Sequence, residues 1–310
     1  MSNLSSKGMI ALDSIELGIG TWQWGDRTMW GYGRGYGEAE IREAFDAALE
    51  AGFTFFDTAE AYGWGQSERF LGKFTRRCGK DLLIATKFMP FPWRWQKARL
   101  TGALRASLAR LERASVDLYQ VHMPFPPMPV ELWADALADA VEAGLTRAVG
   151  VSNYGPGRMA RARVTLANRG IALASNQVNY SLLNRRAERS GLLAACRAQG
   201  IRLIAYSPIA KGMLTGKYTP ENPPPGRRRL SYGSRLAAIQ PLIGLLRDIG
   251  GAHGDKTPGQ VALNWTICKG ALPILGVKNA RQVQEGAGAM GWRLTADEVA
   301  TLDAASEKIA

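Results

Sequence analysis

The segment Phe53–Gly63 reads Phe-Thr-Phe-Phe-Asp-Thr-Ala-Glu-Ala-Tyr-Gly. Its first four residues are aromatic or β-branched, which favours a buried strand. The strand then runs directly into polar residues, with Asp57 at its end and Tyr62 in the following loop. A carboxylate at the end of an apolar strand is costly unless it is paired or used in chemistry. The segment therefore predicts a strand that delivers polar groups to a site.

Strand-like and helix-like segments alternate along the rest of the chain. Strict alternation predicts a parallel sheet, and eight strands in 310 residues predict an α/β fold of the closed (β/α)8 type, a TIM barrel. A doubly wound sheet also fits the alternation but lacks a G-x-G-x-x-G after its first strand. We predict strands at Ile15–Gly20, Phe53–Phe56, Leu82–Thr86, Val116–Val121, Ala148–Val151, Ala174–Val178, Arg202–Ala205 and Leu272–Leu275.

The same patterns predict a single barrel domain over residues 1–310. The helices following the sixth and seventh strands are predicted at Arg185–Gln199 and from Ser234 to Gly250. Extra helical segments near the C-terminus are predicted at Asn279–Ala289 and Ala296–Glu307. A long loop with the run Pro223–Gly226 follows the seventh strand, where it could cover a cofactor.

Composition narrows the class of protein. The formal charge of +12 comes mainly from arginines in runs such as Arg227–Arg229, without interleaved aromatic residues. This pattern favours solvated surfaces over a nucleic-acid or membrane partner. Three cysteines without Cys-x-x-Cys spacing argue against a disulfide framework or a metal site. No targeting segment or membrane span is recognisable, so we expect a cytoplasmic protein, of unknown oligomeric state.

Four side chains are expected to converge at one end of the barrel. Asp57, Lys87 and His122 end the second, third and fourth predicted strands, and Tyr62 can fold back over them. A tyrosine hydroxyl has a pKa of about 10, which a neighbouring ammonium lowers. Lys87 could supply that charge, Asp57 could hold Lys87, and His122 could donate a hydrogen bond to a substrate oxygen.

Taken singly, most of these residues have plainer interpretations. Asp57 could cap its own loop, Tyr62 could be a packing residue, and Lys87 could be solvated. His122 is more informative because the chain has two histidines, and we expect the other, His253, to lie in a polar loop without partners. Four complementary groups on one rim favour a catalytic site.

With these residues in place, the chain resembles the aldo-keto reductase superfamily from about Gly18 to Leu302. Any one matching motif would be weak evidence, but their order and spacing make the resemblance strong. The motifs are Gly18–Trp22, Phe56–Gly63, Ala85–Lys87, Asp117–His122, Gly150–Asn153, Asn176–Val178 and Ala205–Pro208.

The resemblance implies reduction of aldehyde or ketone carbonyls by hydride transfer from NADPH. Tyr62 would be the proton donor, Lys87 would lower its pKa, Asp57 would pair with Lys87, and His122 would orient the carbonyl. Ser152, Asn153 and Gln177 would hold the nicotinamide carboxamide, and Tyr206 would stack on its ring. The remaining implied cofactor contacts are Gly20, Thr21, Trp22, Ser207, Pro208, Ile209, Lys211, Gly212, Leu214, Gly216 and Lys217, followed by Gly276, Lys278, Arg281, Gln282 and Glu285.

The adenosine end of the cofactor site departs from the family pattern. Lys278 and Arg281 could favour the 2′-phosphate of NADPH by charge-assisted hydrogen bonds, or could be ordinary surface residues. Gly286 stands where the family often has asparagine, and Leu275 replaces the usual proline. These two changes put one adenine contact and one turn in question.

Loop tryptophans indicate an apolar or aromatic carbonyl substrate. We expect Trp22, Trp64 and Trp93 to line its pocket, whereas Trp30 and Trp95 could equally cover the barrel mouth.

Two other functions remain open. Lys87 could be the Schiff-base nucleophile of a lyase on the same barrel, although Tyr62 and the implied cofactor residues would then lack a joint purpose. A low-turnover, nucleotide-sensing regulatory subunit would keep the fold and the cofactor.

Overall fold

A computed structural model describes residues 10–76, 78–224, 235–307 and 309. Eight parallel strands form a closed barrel in chain order, with β8 paired to β1. This confirms the predicted (β/α)8 barrel. The strands are β1 Gly18–Gly20, β2 Phe55–Asp57, β3 Leu83–Phe88, β4 Val116–Val121, β5 Thr146–Ser152, β6 Leu173–Asn179, β7 Arg202–Tyr206 and β8 Leu272–Gly276.

The helices surround this barrel. They are α1 Glu38–Glu50, α2 Gln66–Thr75, α3 Ala98–Leu111, α4 Val130–Glu142, α5 Pro156–Ala167, α6 Arg186–Arg189, α7 Leu192–Ala198, α8 Leu236–Ala252, α9 Pro258–Cys268, α10 Ala280–Ala287 and α11 Ala296–Glu307. Short 3₁₀ segments, Tyr62–Gly65 and Ala210–Thr215, follow β2 and β7.

One predicted helix is wrong in its continuity. The segment Arg185–Gln199 forms two helices, α6 and α7, because Gly191 has a φ of 72° between them. That left-handed conformation suits glycine and interrupts the helical ladder. The predicted start at Ser234, the end of the run Pro223–Gly226 and the basic run Arg227–Arg229 lie outside the described residues.

Side chains inside the barrel form an apolar layer with a polar layer above it. Phe55, Ala85 and Leu118 belong to one buried cluster with residues of β5, β7 and β8. Two residues further along β2 and β3, toward the carboxyl ends of the strands, come Asp57 and Lys87. Since side chains of a strand alternate between faces, they share the inner face with the apolar layer. The apolar layer supports the barrel, and the polar layer begins the site.

A larger apolar cluster lies between the sheet and the helices. It includes the fully buried Trp24, Trp133 and Trp265. Within the described part of the chain, no helix has both the length and the apolar character needed to cross a membrane.

Candidate active site

Lys87 is the centre of the polar layer. Its ammonium pairs with the Asp57 carboxylate and donates to the Thr58 carbonyl at 2.8 Å and to the Tyr62 hydroxyl at 3.2 Å. Lys87 and Asp57 are fully buried, and the register places them on adjacent strands. The three hydrogen bonds use all three ammonium donors. The structure thus brings Asp57, Lys87 and Tyr62 together as the sequence predicts.

The pKa of Tyr62 differs from the expectation. Burial raises the pKa of its hydroxyl, the Lys87 charge lowers it, and the Asp57 charge raises it again. The net direction is upward, so the expected lowering of the Tyr62 pKa is wrong. The physical reason is that the phenolate would lose more hydration than one paired ammonium returns.

The ammonium of Lys87 stays charged. Burial lowers the pKa of Lys87, but the Asp57 and Tyr62 contributions outweigh burial and the pKa is raised. An amine that holds its proton this firmly is a poor nucleophile.

His122 follows β4 and lies next to Tyr62. Its ring meets the Tyr62 ring edge-on, with centroids 5.7 Å apart. Burial and the nearby Lys87 charge lower the pKa of His122 to about 3. The imidazole is therefore neutral near pH 7 and carries a single N–H. Its buried Nδ1 has no hydrogen-bond partner among the described residues.

A second set of polar residues extends the hydrogen-bond network of the polar layer across β5, β6 and β7. The Gln177 amide donates to Asp57 at 2.8 Å, and the Ser152 hydroxyl donates to the Gln177 carbonyl at 2.8 Å. Asn153 donates to the His122 carbonyl at 3.0 Å and accepts from the Tyr206 hydroxyl at 3.0 Å. The network links the predicted nicotinamide residues to the four central ones.

These groups open into a cavity of about 670 Å³. Of the central four, Asp57, Tyr62 and His122 line it, and Lys87 lies beneath them. The predicted cofactor residues in its wall are Gly20, Trp22, Ser152, Asn153, Gln177, Tyr206, Ser207, Pro208, Ile209, Lys211, Gly212, Lys217, Gly276, Lys278, Arg281, Gln282 and Glu285.

Three predicted cofactor residues lie outside that wall. The Thr21 hydroxyl is buried against the Asp57 carbonyl at 3.1 Å and the Ser67 hydroxyl at 2.7 Å. Leu214 is buried in the apolar core, and Gly216 follows it in the same turn. In this structure they support the loops that carry contact residues.

The predicted tryptophan pocket needs correction. Trp64 and Trp93 are 85% and 67% exposed and lie outside the cavity wall, each stacked against Phe91 at the surface. The loop after β2 turns outward at Gly63 and Trp64, both in the left-handed region. Trp22 and Trp30 are the tryptophans that line the cavity.

Non-glycine residues with left-handed backbone concentrate at this end of the barrel. Asn153, Ser207, Ala210 and Lys211 all have φ between 48° and 63°. This conformation is costly for residues with a side chain and persists where the surroundings impose it, commonly at functional sites. Three of the four belong to the loop after β7, where the resemblance implies cofactor contacts.

Basic side chains line the β7 and β8 side of the cavity. Lys211, Lys217 and Arg281 form no ion pair with any residue that the structure describes. Lys278 differs, because its ammonium donates to the Trp30 carbonyl at 2.7 Å. The three basic groups are suited to hold a polyphosphate.

The two residues that depart from the family pattern at the adenosine end, Leu275 and Gly286, are neighbours in the structure. A Cβ placed on Gly286 would lie 2.2 Å from Cδ2 of Leu275. The leucine side chain occupies the space that a larger residue at 286 would need.

His253 is not without partners, contrary to expectation. Its Nε2 lies 2.9 Å from the Glu298 carboxylate, and its ring stands 4.7 Å from the Trp292 ring. It joins the end of α8 to α11. Across the described ranges, no group of three or more His, Cys, Asp or Glu residues could hold a metal ion.

Sequence reasoning missed several residues of the cavity wall. Those without an advance signal are Gln23, Met89, Met123, Thr215, Tyr218, Gly259, Gln260 and Leu263. Gln120 lies outside the wall, with its amide 3.4 Å from the Asp57 carboxylate, and was also missed, although it follows the apolar Leu118 by two residues on β4 and so shares its inner face. That alternation is the signal that could have found it.

Comparisons with known proteins agree with this architecture. The family model described as "Aldo/keto reductase family" matches residues 16–307. The chain is 42% identical over 306 residues to a chloroplastic pyridoxal reductase of Arabidopsis thaliana, covering 94% of this chain and 83% of that protein. It is 31% identical over 307 residues to the aldo-keto reductase YhdN of Bacillus subtilis, covering 93% and 88%.

Solved structures show the same likeness. An aldo-keto reductase from Klebsiella pneumoniae in complex with NADPH superposes with a TM-score of 0.73 at 27% identity, covering 93% of this chain and 90% of that one. The thermostable aldo-keto reductase Tm1743, in complex with the inhibitor epalrestat, gives 0.76 at 29% identity and 94% of both chains. The chain therefore belongs to the aldo/keto reductase family and has the barrel fold of these structures.

Proposed function

We propose that the protein is an NADPH-dependent reductase that converts aldehydes or ketones to alcohols, with Tyr62 as the proton donor. The observation that carries this proposal is the Tyr62 hydroxyl, which faces the cavity and receives a hydrogen bond from the buried Lys87 ammonium. A carbonyl oxygen that gains negative charge needs a positioned acid, and this is the best-placed acid in the described cavity wall.

The proton step follows from the four central residues. The raised pKa keeps Tyr62 protonated at neutral pH, so its hydroxyl can donate to the oxygen as hydride arrives at carbon. The Lys87 ammonium then stabilises the phenolate at 3.2 Å, and Asp57 keeps that ammonium charged and in place. Neutral His122 can give its single N–H to the same substrate oxygen if Nε2 is the protonated nitrogen.

The residues present fit a nicotinamide dinucleotide. The buried Gln23 Oε1 in the cavity wall has no hydrogen-bond partner among the described residues, as expected where a bound group supplies one. Ser152, Asn153 and Gln177 offer hydroxyl and amide groups for the carboxamide, and the Tyr206 ring offers a flat face. When bound, the cofactor supplies the hydride.

The phosphates would meet the basic groups on the β7 and β8 side. Lys211 and Lys217 belong to the strained loop after β7, and Arg281 lies near the start of α10. An arginine without a carboxylate partner is suited to a 2′-phosphate. This arrangement favours NADPH over NADH.

Aromatic aldehydes are the first substrates to test. The cavity wall includes Trp22, whose ring stacks on that of Tyr62, and Trp30, which meets Trp22 edge-on, together with Met89 and Met123. Flat apolar walls suit a planar substrate ring. The relative with 42% identity is named a pyridoxal reductase, and pyridoxal is a planar aromatic aldehyde of this kind.

The lyase alternative is weaker on this geometry. A Schiff base requires a neutral, accessible amine, whereas Lys87 is fully buried and its three N–H groups are bound. A regulatory subunit with little turnover would keep the same contacts, so turnover itself must be measured.

The deciding experiment follows NADPH oxidation in the presence of pyridoxal and of benzaldehyde. Wild-type protein should reduce at least one of them, and Tyr62→Phe should lower kcat by about 10²- to 10⁴-fold while leaving NADPH binding intact. Tyr119→Phe is the matched control, because Tyr119 is a buried tyrosine of β4 outside the cavity wall. Equal turnover of wild type and Tyr62→Phe would refute the assigned proton donor.

A further inference from the structure

The loop between β1 and α1, residues 21–37, forms the aromatic wall of the cavity. The Trp22 ring is stacked against the Tyr62 ring, with centroids 6.0 Å apart and planes 24° apart. Trp30 meets Trp22 edge-on at 5.6 Å. Both tryptophans line the cavity together with Tyr62. The position of this loop therefore sets the shape of the space beside the Tyr62 hydroxyl.

Asp26 organises the loop from within. Its carboxylate accepts the indole N–H of Trp22 at 3.0 Å and the backbone N–H groups of Met29 at 2.7 Å and Trp30 at 3.3 Å. Its carbonyl accepts the Tyr32 N–H at 2.9 Å. One buried acid thus fixes the orientation of Trp22 and the path of the chain to Trp30.

Lys278 holds the same loop from the opposite direction. Its ammonium donates to the Trp30 carbonyl at 2.7 Å and lies 4.4 Å from the centroid of the Tyr36 ring. The Tyr36 hydroxyl donates in turn to the Gln23 carbonyl at 2.7 Å. A hydrogen bond donated by an ammonium is stronger than one between neutral groups, and an ammonium is also attracted to the face of an aromatic ring. A residue that follows β8 is therefore fastened to a loop 248 positions away.

The two basic residues of this segment are placed differently. Both residues line the cavity, but the Lys278 ammonium donates to the Trp30 carbonyl, whereas Arg281 forms no ion pair with a carboxylate within the described ranges. We propose that Lys278 is a positioning residue for the carbonyl substrate. Its bond to the Trp30 carbonyl fixes the Trp22–Trp30 wall, and recognition of the 2′-phosphate falls to Arg281.

The first test needs no ligand and is independent of the proposed function. Amide hydrogen exchange over residues 28–36 is compared among wild type, Lys278→Met, Lys278→Arg and Arg281→Met. Lys278→Met should exchange faster in this loop, Lys278→Arg should restore much of the protection, and Arg281→Met should match wild type. An unchanged loop in Lys278→Met, or an increase spread evenly over the barrel, would overturn the proposal.

The second test is kinetic and rests on the proposed reductase function. Lys278→Met should raise KM for an aromatic aldehyde about tenfold and leave the preference for NADPH over NADH within about twofold. Arg281→Met should do the reverse. If Lys278→Met instead loses the NADPH preference with an unchanged aldehyde KM, Lys278 is a phosphate ligand and the proposal is wrong. If wild type reduces no aldehyde, the proposed function fails, and the exchange result alone decides on Lys278.

Discussion

Lys87→Met should destabilise the protein strongly, and the added change Asp57→Asn should reverse most of the loss. Methionine keeps the approximate length of the side chain but leaves the buried Asp57 carboxylate without its cation, facing the Gln177 amide at 2.8 Å. Breaking a buried ion pair by removing one partner costs about 3–5 kcal/mol, because the remaining charge stays buried. In the double variant no buried charge remains, so its free energy of unfolding should return to within about 1–2 kcal/mol of wild type.

The assay is urea unfolding at pH 7 of wild type, both single variants and the double variant. The coupling energy of the cycle should be several kcal/mol and favourable, while both variants that lack Lys87 should have lost most carbonyl reduction. Stability and activity would then be separated at one site, since the double variant would be folded but inactive. Additive losses in the two single variants would refute the reasoning that the pair is a coupled buried unit. If Lys87→Met does not fold, the comparison of Asp57→Asn with the double variant tests the same coupling, because Asp57→Asn leaves the Lys87 ammonium buried without its carboxylate.

Three further outcomes follow from the site. Carbonyl reduction should show no loss from Tyr62 ionisation between about pH 6 and 9, since burial raises the pKa of that hydroxyl. A fall in initial rates centred below about pH 9 would contradict this. The pKa of His122 is about 3 in the folded protein and about 6.5 in the unfolded chain, so the stability that depends on its neutral form is complete above pH 6.5 and falls as the pH is lowered. Between pH 7 and 4.5, the free energy of unfolding of wild type relative to His122→Asn should drop by about 2–3 kcal/mol in urea unfolding. A constant difference between the two proteins would refute this. Gly286→Ala should lower the free energy of unfolding by about 1–3 kcal/mol, because the added methyl group collides with Leu275. Adding Leu275→Ala should restore part of that stability. An unchanged stability of Gly286→Ala would show that the leucine side chain moves aside freely.

The barrel itself was predictable because its signals are local. Strand-like segments recur eight times with helix-like segments between them, and closure follows from their number. The break at Gly191 was missed because the residues on both sides, Arg185–Gln199, keep a helix-compatible composition. A glycine in such a run indicates a break only when its φ is known.

The central residues of the site were predictable for the same reason. Asp57, Lys87 and His122 stand at strand ends, and strand ends of a parallel barrel meet. The tryptophans were not predictable in this way, because the left-handed backbone at Gly63 and Trp64 turns the latter ring outward. Lys278 shows a further limit, since its partner is a backbone carbonyl that carries no sequence signal.

The burial of Lys87 has a consequence for proton traffic. All three of its N–H groups are bound to protein oxygens, and its side chain has no exposed surface. Of these partners, Asp57 and Tyr62 line the cavity, and Tyr62 is the one of the two that carries a hydroxyl proton. A proton taken from Tyr62 must therefore be replaced through the cavity mouth, and not through the barrel floor, where Phe55, Ala85 and Leu118 close the interior. Reprotonation of the site is then tied to the opening and emptying of the cavity, so product release and proton uptake would share one route.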